Sequence, residues 1–356
     1  MKSFNHLYEQ LISEDNIRLA IQLSSRGKRK RKDVQKYFEN PDKHIVPIQN
    51  MVNHYKNANH VPVEIYDGIS RKKRTIIVPK YREQIVHHML VNVLKPLMQR
   101  SMYYHSYGSL PGKGGHRGKK FIERWIRTDK ENTRYCLKMD IKKYFDSVSH
   151  DVVKEQMRRM IHDEEFLRVL FEVIDVTEKG LPLGFYTSQW LANWHLTCLD
   201  YYIKQDLGAK YYMRYMDDMV IFGSDKAELH RMRQDIQQYL VNNLGLTLKD
   251  NWQVFDVDCR ALDYMGFRFY RNKTTLRKSI LMKAFRKARR VGRKDKPTLY
   301  EIRQMMSYFG WLTVTDTYSA YVQYIKPLFD FQYGRRRISN HERKGVNHGT
   351  CSLQNS

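Results

Sequence analysis

Cysteine is scarce in this sequence: the 356 residues include only Cys136, Cys198, Cys259 and Cys351, and no pair has CxxC spacing. This scarcity argues against a disulfide framework or a zinc site, so we interpret all four as ordinary thiols. No apolar run approaches the ~20 residues of a membrane-spanning helix. The first residues, MKSFNHLYEQLISEDN, also lack the apolar region of a signal peptide. We therefore expect a soluble cytoplasmic protein with no membrane partner.

Acidic residues are the minority among the charged ones, since 38 Asp and Glu stand against 63 Lys and Arg, giving a formal net charge of +25. Disordered basic tails lack aromatic residues, whereas 13 % of this chain is aromatic, so the composition favours a folded protein. The length allows one large multi-lobed enzyme or about two ordinary domains. Nucleic acid explains such a positive charge better than a membrane surface does.

The N-terminal stretch has a helical pattern that ends at a basic segment, in which six of the seven residues from 26 to 32 are Lys or Arg. We interpret residues 1–60 as an N-terminal helical extension. The basic segment is interpreted as a loop or helix start facing phosphate, with Lys28 and Arg29 as candidate nucleic-acid contacts. A solvated charge run is the alternative, because such runs are common at surfaces.

Residues 61–134 combine a predicted hairpin, a helix and a glycine-rich loop. Strand-like segments from Val61 to Val78 flank an Asp67-Gly68 turn. The helix over 82–100 is predicted to bury one face. The apolar residues of that face are Ile85, Met89, Val93 and Leu97. The loop SYGSLPGKGGHRGKK follows, and its amides and cations, Lys113 and His116 among them, are candidates for holding a nucleic-acid backbone.

From Tyr135 onward, short strands alternate with longer helices, which is typical of an α+β core. A strand is predicted to end at Asp140, with helices over 150–175 and 186–205 and a strand pair over 211–222. Ser224 is the predicted N-cap of the next helix, which Gly245 closes.

Beyond residue 276 the composition changes to that of a basic helical lobe. Seven of the fourteen residues from 281 to 294 are basic, including the candidate nucleic-acid contacts Lys283, Arg286 and Arg290. A capping box of Thr298 and Glu301 predicts the start of a further helix. Residues 333–356 have almost no apolar content, so we expect a mobile basic tail.

Two carboxylates, Asp217 and Asp218, lie between apolar strand-like runs in KYYMRYMDDMVIFGSD, which predicts a hairpin with acids at its tip. Like charges this close repel each other, and in an apolar hairpin a divalent cation is the natural partner. An exposed Asp-Asp turn is the alternative, because aspartate favours turns. A second apolar strand delivers Asp140, and two strands that aim acids at one place favour the metal site.

Nucleotidyl transfer fits this set of acids. It uses two Mg²⁺ ions about 3.5–4 Å apart, one activating the primer 3′-hydroxyl and one holding the triphosphate, with carboxylates bridging them. Magnesium keeps water and substrate oxygens as further ligands, so two or three acids suffice. We therefore predict that Asp140, Asp217 and Asp218 are catalytic ligands of two Mg²⁺ ions, with Mn²⁺ able to substitute.

The ordered motifs resemble those of reverse transcriptases. Tyr215-Met216-Asp217-Asp218 resembles the palm motif, GLPLGFYTSQWLAN at 180–193 the template- and nucleotide-facing helix, and Tyr264-Met265-Gly266-Phe267 the primer grip, with Met265 and Gly266 at its centre. The resemblance implies an α+β right-hand polymerase that copies template RNA into cDNA from dNTPs and holds an RNA-DNA hybrid. It implies fingers at 61–134, a palm of antiparallel sheet plus helices at 135–275, with fingers/palm helices at 150–205, and a helical thumb at 276–332.

Individual roles follow from the same resemblance. Phe145 is similar to the aromatic gate against a ribose 2′-hydroxyl, and Arg74 to the fingers arginine that neutralises the triphosphate, with Lys72 as a helper. Leu183 and Gln189 are similar to residues beside the nascent base pair. An ordinary core aromatic, solvated cations and a plain polar helix position are the alternatives.

The sequence departs from the family pattern at two places. Glu83-Gln84 replaces the usual Asp-Arg of the fingers, so one expected cation is missing unless Arg82 replaces it. Trp252 stands where many members carry the lysine proposed to protonate pyrophosphate, and Lys249 is nearby but out of register. Water is then the favoured source of the proton for the leaving group, with Lys249 as the alternative.

A narrower resemblance concerns diversity-generating retroelements. Most bacterial intron-type enzymes have Ser-Pro in the helix motif, whereas Leu183-Gly184 with Ser188-Gln189 resembles the retroelement enzymes, as do segments 111–116 and 276–279. This resemblance implies mutagenic retrohoming with frequent errors at template adenines, a structured RNA and a small, basic, helical and oligomeric accessory protein. The alternatives are a phage-defence or other bacterial reverse transcriptase, an intron maturase, and a non-catalytic RNA-binding scaffold.

Overall fold

The computed structural model describes residues 4–57, 60–66 and 73–350, with residues 342–350 described by their backbone alone. The chain divides into two compact units. The first unit comprises Met1–Gly114 and Tyr135–Val254, and the second comprises Gly115–Arg134 and Phe255–Ser356. None of the helices in the described ranges combines the length and apolar character needed to cross a membrane.

Helices make up most of both units. They are α1 (Leu7–Ile12), α2 (Glu14–Ser24), α3 (Lys32–Glu39), α4 (Ile45–Asn53), α5 (Tyr81–Ser101), α6 (Gly115–Thr128), α7 (Tyr144–Ser147), α8 (His150–Met160), α9 (Glu164–Ile174), α10 (Tyr186–His195), α11 (Thr197–Tyr201), α12 (Lys226–Tyr239), α13 (Lys278–Gly292), α14 (Leu299–Leu312), α15 (Tyr318–Ala320) and α16 (Phe331–Thr350). The strands are β1 (Pro62–Tyr66), β2 (Lys73–Ile77), β3 (Tyr135–Asp140), β4 (Tyr211–Tyr215), β5 (Asp218–Gly223), β6 (Gln253–Asp256), β7 (Leu262–Tyr264), β8 (Phe267–Phe269) and β9 (Thr274–Leu276).

A four-stranded sheet has the order β4-β5-β3-β6. Strands β4 and β5 form the antiparallel pair predicted for residues 211–222, and β3 pairs antiparallel with β5 so that Asp140 lies opposite Asp218. All four residues from 219 to 222 are buried, which explains why this strand appears as a continuous apolar run rather than an alternating one.

Helix α5 forms the long apolar support of the first unit. Its predicted apolar face is confirmed, since Ile85 and Met89 are inaccessible and Val93 and Leu97 are buried. Helices α2 and α10 both pack against α5. The N-terminal helices and the helix that follows residue 185 therefore share one hydrophobic core.

Helix α12 is capped one residue later than predicted. Asp225, rather than Ser224, is the N-cap, and its carboxylate accepts hydrogen bonds from the amides of Ala227 at 2.9 Å and Glu228 at 3.3 Å. A carboxylate satisfies two of the unpaired amides at the helix start, which accounts for the shift. Gly245 ends the segment in the left-handed conformation, as predicted.

The predicted hairpin after residue 60 is confirmed by the antiparallel pairing of β1 with β2, in which Pro62 lies opposite Ile77. The predicted turn at Asp67-Gly68 lies outside the described residues. Both strands are largely exposed. The hairpin therefore depends on its contacts at residue 77 rather than on a core of its own.

In the second unit, the antiparallel sheet β7-β8-β9 is accompanied by helices α13 and α14. Buried residues of the two helices, among them Ile280, Ala284, Ile302 and Met305, belong to one core. The predicted capping box of α14 is confirmed: the Thr298 hydroxyl accepts from the Glu301 amide at 3.3 Å, and the Glu301 carboxylate accepts from the Thr298 amide at 3.1 Å.

Residues 331–350 form helix α16, where the sequence predicts a mobile tail from residue 333. Phe331 is buried, and its ring centroid lies 4.4 Å from that of Phe309 on α14. Ile338 also packs against this core. Phe331 and Ile338, which are seven residues apart on one helical face, therefore attach this largely basic helix to the core. The average composition of the segment does not reveal two such residues, so the sequence predicted a mobile tail instead.

Two glycines of the second unit provide a test of its packing. A Cβ at Gly292 would collide with the carbonyl oxygen of Leu328, whereas a Cβ at Gly310 in α14 meets no atom within 4 Å. Replacing an exposed helix glycine by alanine stabilises by roughly 0.5–1 kcal/mol. We expect Gly292→Ala to lower the thermal unfolding temperature and Gly310→Ala to raise it slightly. An unchanged unfolding temperature for Gly292→Ala would contradict the packing described at Leu328.

Candidate active site

The three acidic residues singled out in the sequence lie at one end of the four-stranded sheet. Asp140 ends β3, Asp218 begins β5 opposite it, and Asp217 lies in the turn between β4 and β5. The amide of Ile141 donates a hydrogen bond to the carbonyl of Asp217 at 3.3 Å. This bond ties the turn to the end of β3, so acids that are distant in sequence become neighbours.

Asp140 and Asp217 form the close pair of this cluster. Burial, followed by the negative charge of Asp140 and a hydrogen bond between the two side chains, raises the pKa of Asp217 well above its ordinary value. Oδ1 of Asp140 is buried and has no hydrogen-bond partner within the described residues. Two carboxylates held together with an unsatisfied oxygen are suited to bind a cation.

The described residues contain no group of three or more His, Cys, Asp or Glu side chains arranged to hold a metal ion by themselves. The three acids therefore do not form a closed coordination shell. Magnesium in proteins is commonly bound by one or two carboxylates, with water and substrate phosphates as its other ligands. An Asp140–Asp217 pair fits that open kind of site.

Lys249 contacts the acid pair, although the sequence placed it out of register. Its amide donates to the carbonyl of Asp140 at 2.8 Å, and its ammonium forms an ion pair with Oδ2 of the same residue. An isolated bridge between Ile141 and Leu248 brings the two segments together. The position of Lys249 relative to the sequence motif could not reveal this contact, because the contact joins segments that are 109 residues apart in the chain.

The turn before Asp217 requires a glycine beneath it. Met216 has a left-handed φ of 57°, and a Cβ at Gly108 would lie 2.6 Å from the Met216 amide nitrogen. The side chain of Asn193 on α10 donates to the Gly108 carbonyl at 2.7 Å. Gly108 was predicted only as part of a phosphate-binding loop, whereas the structure shows it packed under the acid-bearing turn.

Phe145 lies in α7, a few residues after Asp140, and is half-buried at the edge of the core. Its carbonyl accepts a hydrogen bond from Leu181 at 2.7 Å. A Cβ at Gly180, which has a φ of 82°, would lie 2.5 Å from that same carbonyl oxygen. The loop at 180–184 therefore holds the backbone of Phe145 closely.

The other end of this loop holds the hairpin strand that carries Arg74. The amide of Ile77 donates to the Leu183 carbonyl at 2.7 Å, and a Cβ at Gly184 would collide with the Ile77 carbonyl oxygen. Arg74 lies three residues before this contact, on exposed β2. The predicted helper Lys72 lies outside the described residues.

Gln189 is exposed on α10, at the wall of a cavity of about 350 Å³ that Lys28 and Tyr186 also line. The structure thus brings together Gln189, predicted to lie beside the nascent base pair, and Lys28 of the basic N-terminal segment. Lys28 donates to the Gln84 side chain at 2.6 Å, and burial followed by the charge of Arg31 lowers its pKa. Gln84 occupies the position at which the fingers motif usually carries an arginine. Its side chain accepts a hydrogen bond from the ammonium group of Lys28 instead.

Two other predicted phosphate contacts of the first unit bind groups of the chain itself. Arg29 lies over the ring of Phe38, 4.1 Å from its centroid. Lys113 donates to the carbonyl of Tyr104 at 2.8 Å. Both charged groups remain near the surface, but each already interacts with another group of the chain: Arg29 with the Phe38 ring and Lys113 with the Tyr104 carbonyl.

In the second unit, Met265 and Gly266 form the turn between β7 and β8, with φ values of 51° and 88°. A Cβ at Gly266 would lie 3.0 Å from side-chain atoms of both Ile280 and Trp311, so helices α13 and α14 support the turn. The predicted primer-grip residues therefore occupy a tight, well-packed turn.

The basic residues predicted to bind nucleic acid in the second unit fall into two environments. The ring of His116 packs edge-on against Trp311, with the ring centroids 5.1 Å apart, and burial followed by the charge of Lys119 lowers the pKa of His116. Arg286 and Arg290 line a cavity of about 320 Å³ together with Arg289 of α13 and Arg293, which caps the end of that helix. Lys283 lies one turn earlier. Basic side chains therefore cluster on α13, whereas the His116 ring packs against an aromatic residue.

Comparisons with known proteins agree with this geometry. Residues 56–269 match the family model described as Reverse transcriptase (RNA-dependent DNA polymerase). Protein YkfC of Escherichia coli (strain K12) is 24 % identical over 248 residues, covering 57 % of this chain and 65 % of that protein. The Retron Ec73 reverse transcriptase of Escherichia coli is 22 % identical over 209 residues, covering 54 % of this chain and 63 % of that protein.

A plant protein extends the comparison. Nuclear intron maturase 1, mitochondrial, of Arabidopsis thaliana is 24 % identical over 117 residues, covering 32 % of this chain and 16 % of that protein. The chain thus spans less than two thirds of the length of each of these three relatives. The family match nevertheless covers more than half of the chain and includes both strands that carry the acids, so the chain belongs to the reverse transcriptase family.

Proposed function

We propose that this chain catalyses RNA-directed DNA synthesis at the Asp140–Asp217 pair. The observation that carries the proposal is a pair of neighbouring, partly buried carboxylates at the end of paired strands in a member of the reverse transcriptase family. Repulsion and desolvation make such a pair costly, and a bound cation offsets that cost. A non-catalytic RNA-binding scaffold has no need of the pair.

The residues present fit a divalent metal site. Asp140 and Asp217 would hold the ions, Asp218 is the third acid at the same sheet end, and Asp140 offers an unsatisfied oxygen. Two Mg²⁺ ions, with Mn²⁺ able to replace them, would activate the primer 3′-hydroxyl and neutralise the triphosphate. Lys249 places a further positive charge beside Asp140 and so compensates part of the negative charge of the pair.

Nucleotide recognition is assigned to residues joined by the loop at 180–184. Phe145 would exclude a ribose 2′-hydroxyl, and Arg74, helped by Lys72, would neutralise the triphosphate. Leu183 and Gln189 would lie beside the nascent pair. Because the loop contacts Phe145 at one end and the Arg74 strand at the other, one rigid segment would set the positions of both functions.

We assign fingers to 61–134, the palm to 135–275 and the thumb to 276–332, with residues 1–60 as an N-terminal extension. Residues 115–134 of these fingers belong to the second compact unit. A net charge of +25 favours gripping template and primer by their backbones. An RNA-DNA hybrid is near A-form, so this binding would be largely independent of sequence and sensitive to salt.

Within the family, we propose a role in a diversity-generating retroelement, with error-prone copying at template adenines and an oligomeric basic accessory protein. The support is the pattern Leu183-Gly184 with Ser188-Gln189 and the segments 111–116 and 276–279. Another bacterial reverse transcriptase is the main rival, favoured by the similarity to YkfC and to the retron enzyme. A maturase role has less support, because the match covers 16 % of the plant maturase.

Replacing Asp217 by alanine should abolish primer extension on an RNA template while leaving thermal unfolding and RNA affinity close to wild type. The change removes a proposed metal ligand and also relieves repulsion with Asp140. Asp295→Ala, at an exposed acid of the second unit, is the control and should retain activity. Extension by Asp217→Ala at the wild-type rate would refute the metal assignment.

Replacing Phe145 by alanine should open space for a 2′-hydroxyl. We expect incorporation of ribonucleotides relative to deoxyribonucleotides to rise by about tenfold or more, which requires only about 1.4 kcal/mol of lost discrimination. Phe171→Ala, at another half-buried aromatic of the first unit, is the matched control. If both variants keep wild-type sugar selectivity, Phe145 is a core residue and the gate lies elsewhere.

With its own RNA, an accessory protein and Mg²⁺, the enzyme should misincorporate far more often opposite template adenines than opposite the other three bases. An enzyme discriminates between nucleotides by a difference in transition-state binding. Slightly looser packing of Leu183, Gln189 and Arg74 around the nascent base pair is therefore enough to raise the error rate. Sequencing of the cDNA measures this, with the other template bases as internal controls. Equal error rates at all four bases would leave a reverse transcriptase but reject the retroelement role.

A further inference from the structure

Arg214 is completely buried beneath the turn that carries Asp217. It lies on β4 and pairs with Asp200 on α11, whose side chain is equally inaccessible. Nε donates to Oδ1 of Asp200 at 2.7 Å and Nη2 donates to Oδ2 at 2.5 Å. The hydroxyl of Tyr212 donates to Oδ1 as well, at 2.7 Å. Asp200 therefore accepts three hydrogen bonds, and the two from Arg214 fix the plane of the guanidinium group.

Two of the three remaining guanidinium hydrogens reach backbone carbonyls. Nη2 donates to the carbonyl of Asn193 on α10 at 3.0 Å, and Nη1 donates to the carbonyl of Met216 at 3.0 Å. The Met216 carbonyl belongs to the peptide bond whose nitrogen is that of Asp217. Arg214 therefore holds the peptide that precedes the candidate metal ligand.

The backbone of Asp217 is consequently held on both sides. Arg214 binds the preceding peptide, and the Ile141 amide binds the carbonyl of Asp217 itself at 3.3 Å. Ile141 directly follows Asp140, so the second bond ties the turn to the other acid. Met216, between Arg214 and Asp217 in the turn, is in the left-handed conformation, which an unbranched non-glycine side chain adopts at a cost.

We propose that Arg214 is a positioning residue for Asp217: paired with Asp200, it fixes the 216–217 peptide, sets the separation of the Asp140 and Asp217 carboxylates, and thereby determines the affinity for divalent ions. The proposal rests on the proposed function in that Asp217 is a metal ligand. Stability alone does not require the ion pair, since apolar residues of similar volume often replace buried pairs without loss. Lysine at position 214 lacks the planar fork that binds Asp200 and two carbonyls together.

Three sets of variants separate positioning from stability. A charge-free variant carries Arg214→Met, Asp200→Leu and Tyr212→Phe, so that no buried charge or hydroxyl of this group loses its partner. Arg214→Lys keeps the charge but not the fork. Asp200→Asn keeps the guanidinium and its bond to Met216 while weakening the pair. Arg271→Met is the matched control, because it breaks the two-point pair of Arg271 with Asp258 in the second unit.

The measurements are thermal unfolding, Mn²⁺ binding to the free protein by electron paramagnetic resonance, and steady-state primer extension. In the charge-free variant and in Arg214→Lys, we expect the Mn²⁺ dissociation constant to rise at least about tenfold. We also expect kcat to fall by about 100-fold with the KM for dNTP within about threefold, because misplacement by 1 Å costs that much in rate. Arg271→Met should lose thermal stability but keep wild-type Mn²⁺ affinity. Asp200→Asn loosens the partner that fixes the guanidinium, so it should raise the Mn²⁺ dissociation constant, but less than Arg214→Lys does.

Wild-type Mn²⁺ affinity in a folded charge-free variant would overturn the proposal. If that variant does not fold, wild-type Mn²⁺ affinity in Arg214→Lys would overturn the proposal instead. Asp217→Ala must itself weaken Mn²⁺ binding. If it does not, the metal assignment fails, and the role of Arg214 in setting ion affinity fails with it. Absence of primer extension by the wild-type protein would reject reverse transcription, while the Mn²⁺ titrations would still test the positioning role.

Discussion

The pairing of β3 with β5 is the interaction on which the rest of the site depends. It places Asp140 opposite Asp218, and side chains alternate along a strand, so a slip of one residue would turn the acids to the other face. The fully buried residues 219–222 resist such a slip because each would move its side chain out of a filled space. The sheet core thus sets the coarse position of the acids, and glycines and polar contacts near the turn refine it.

That refinement uses close approaches that leave no room for side chains. Gly108 lies under Met216, and Gly180 and Gly184 let one loop contact the backbones of Phe145 and Ile77. A backbone held at this distance cannot shift without a collision, so the loop keeps the backbones of Phe145 and Ile77 at fixed positions. The residues proposed to act on the nucleotide are therefore positioned by backbone contacts more than by their own side-chain bonds.

The sequence predicted the features that depend on local order. The apolar face of α5, the capping box of α14, the β4–β5 hairpin and its acids all follow from short-range periodicity and capping chemistry. It could not predict the contact of Lys249 with Asp140, because that contact joins segments brought together by the fold. The internal bond of Lys113 depends on the path of an irregular loop, which short-range periodicity does not describe. Helix α16 was not predicted, because Phe331 and Ile338, which pack it on the core, are only two apolar residues in a largely basic segment.

The separation of β3 and β5 along the chain has a consequence for folding. Helices α7 to α11 intervene between the two strands, so their pairing is a long-range contact that closes a large loop. During synthesis on the ribosome, which proceeds from the N-terminus, Asp140 emerges well before Asp217. A nascent chain that has not yet released β5 therefore contains no acid pair, and the proposed metal site can form only after these helices have been made.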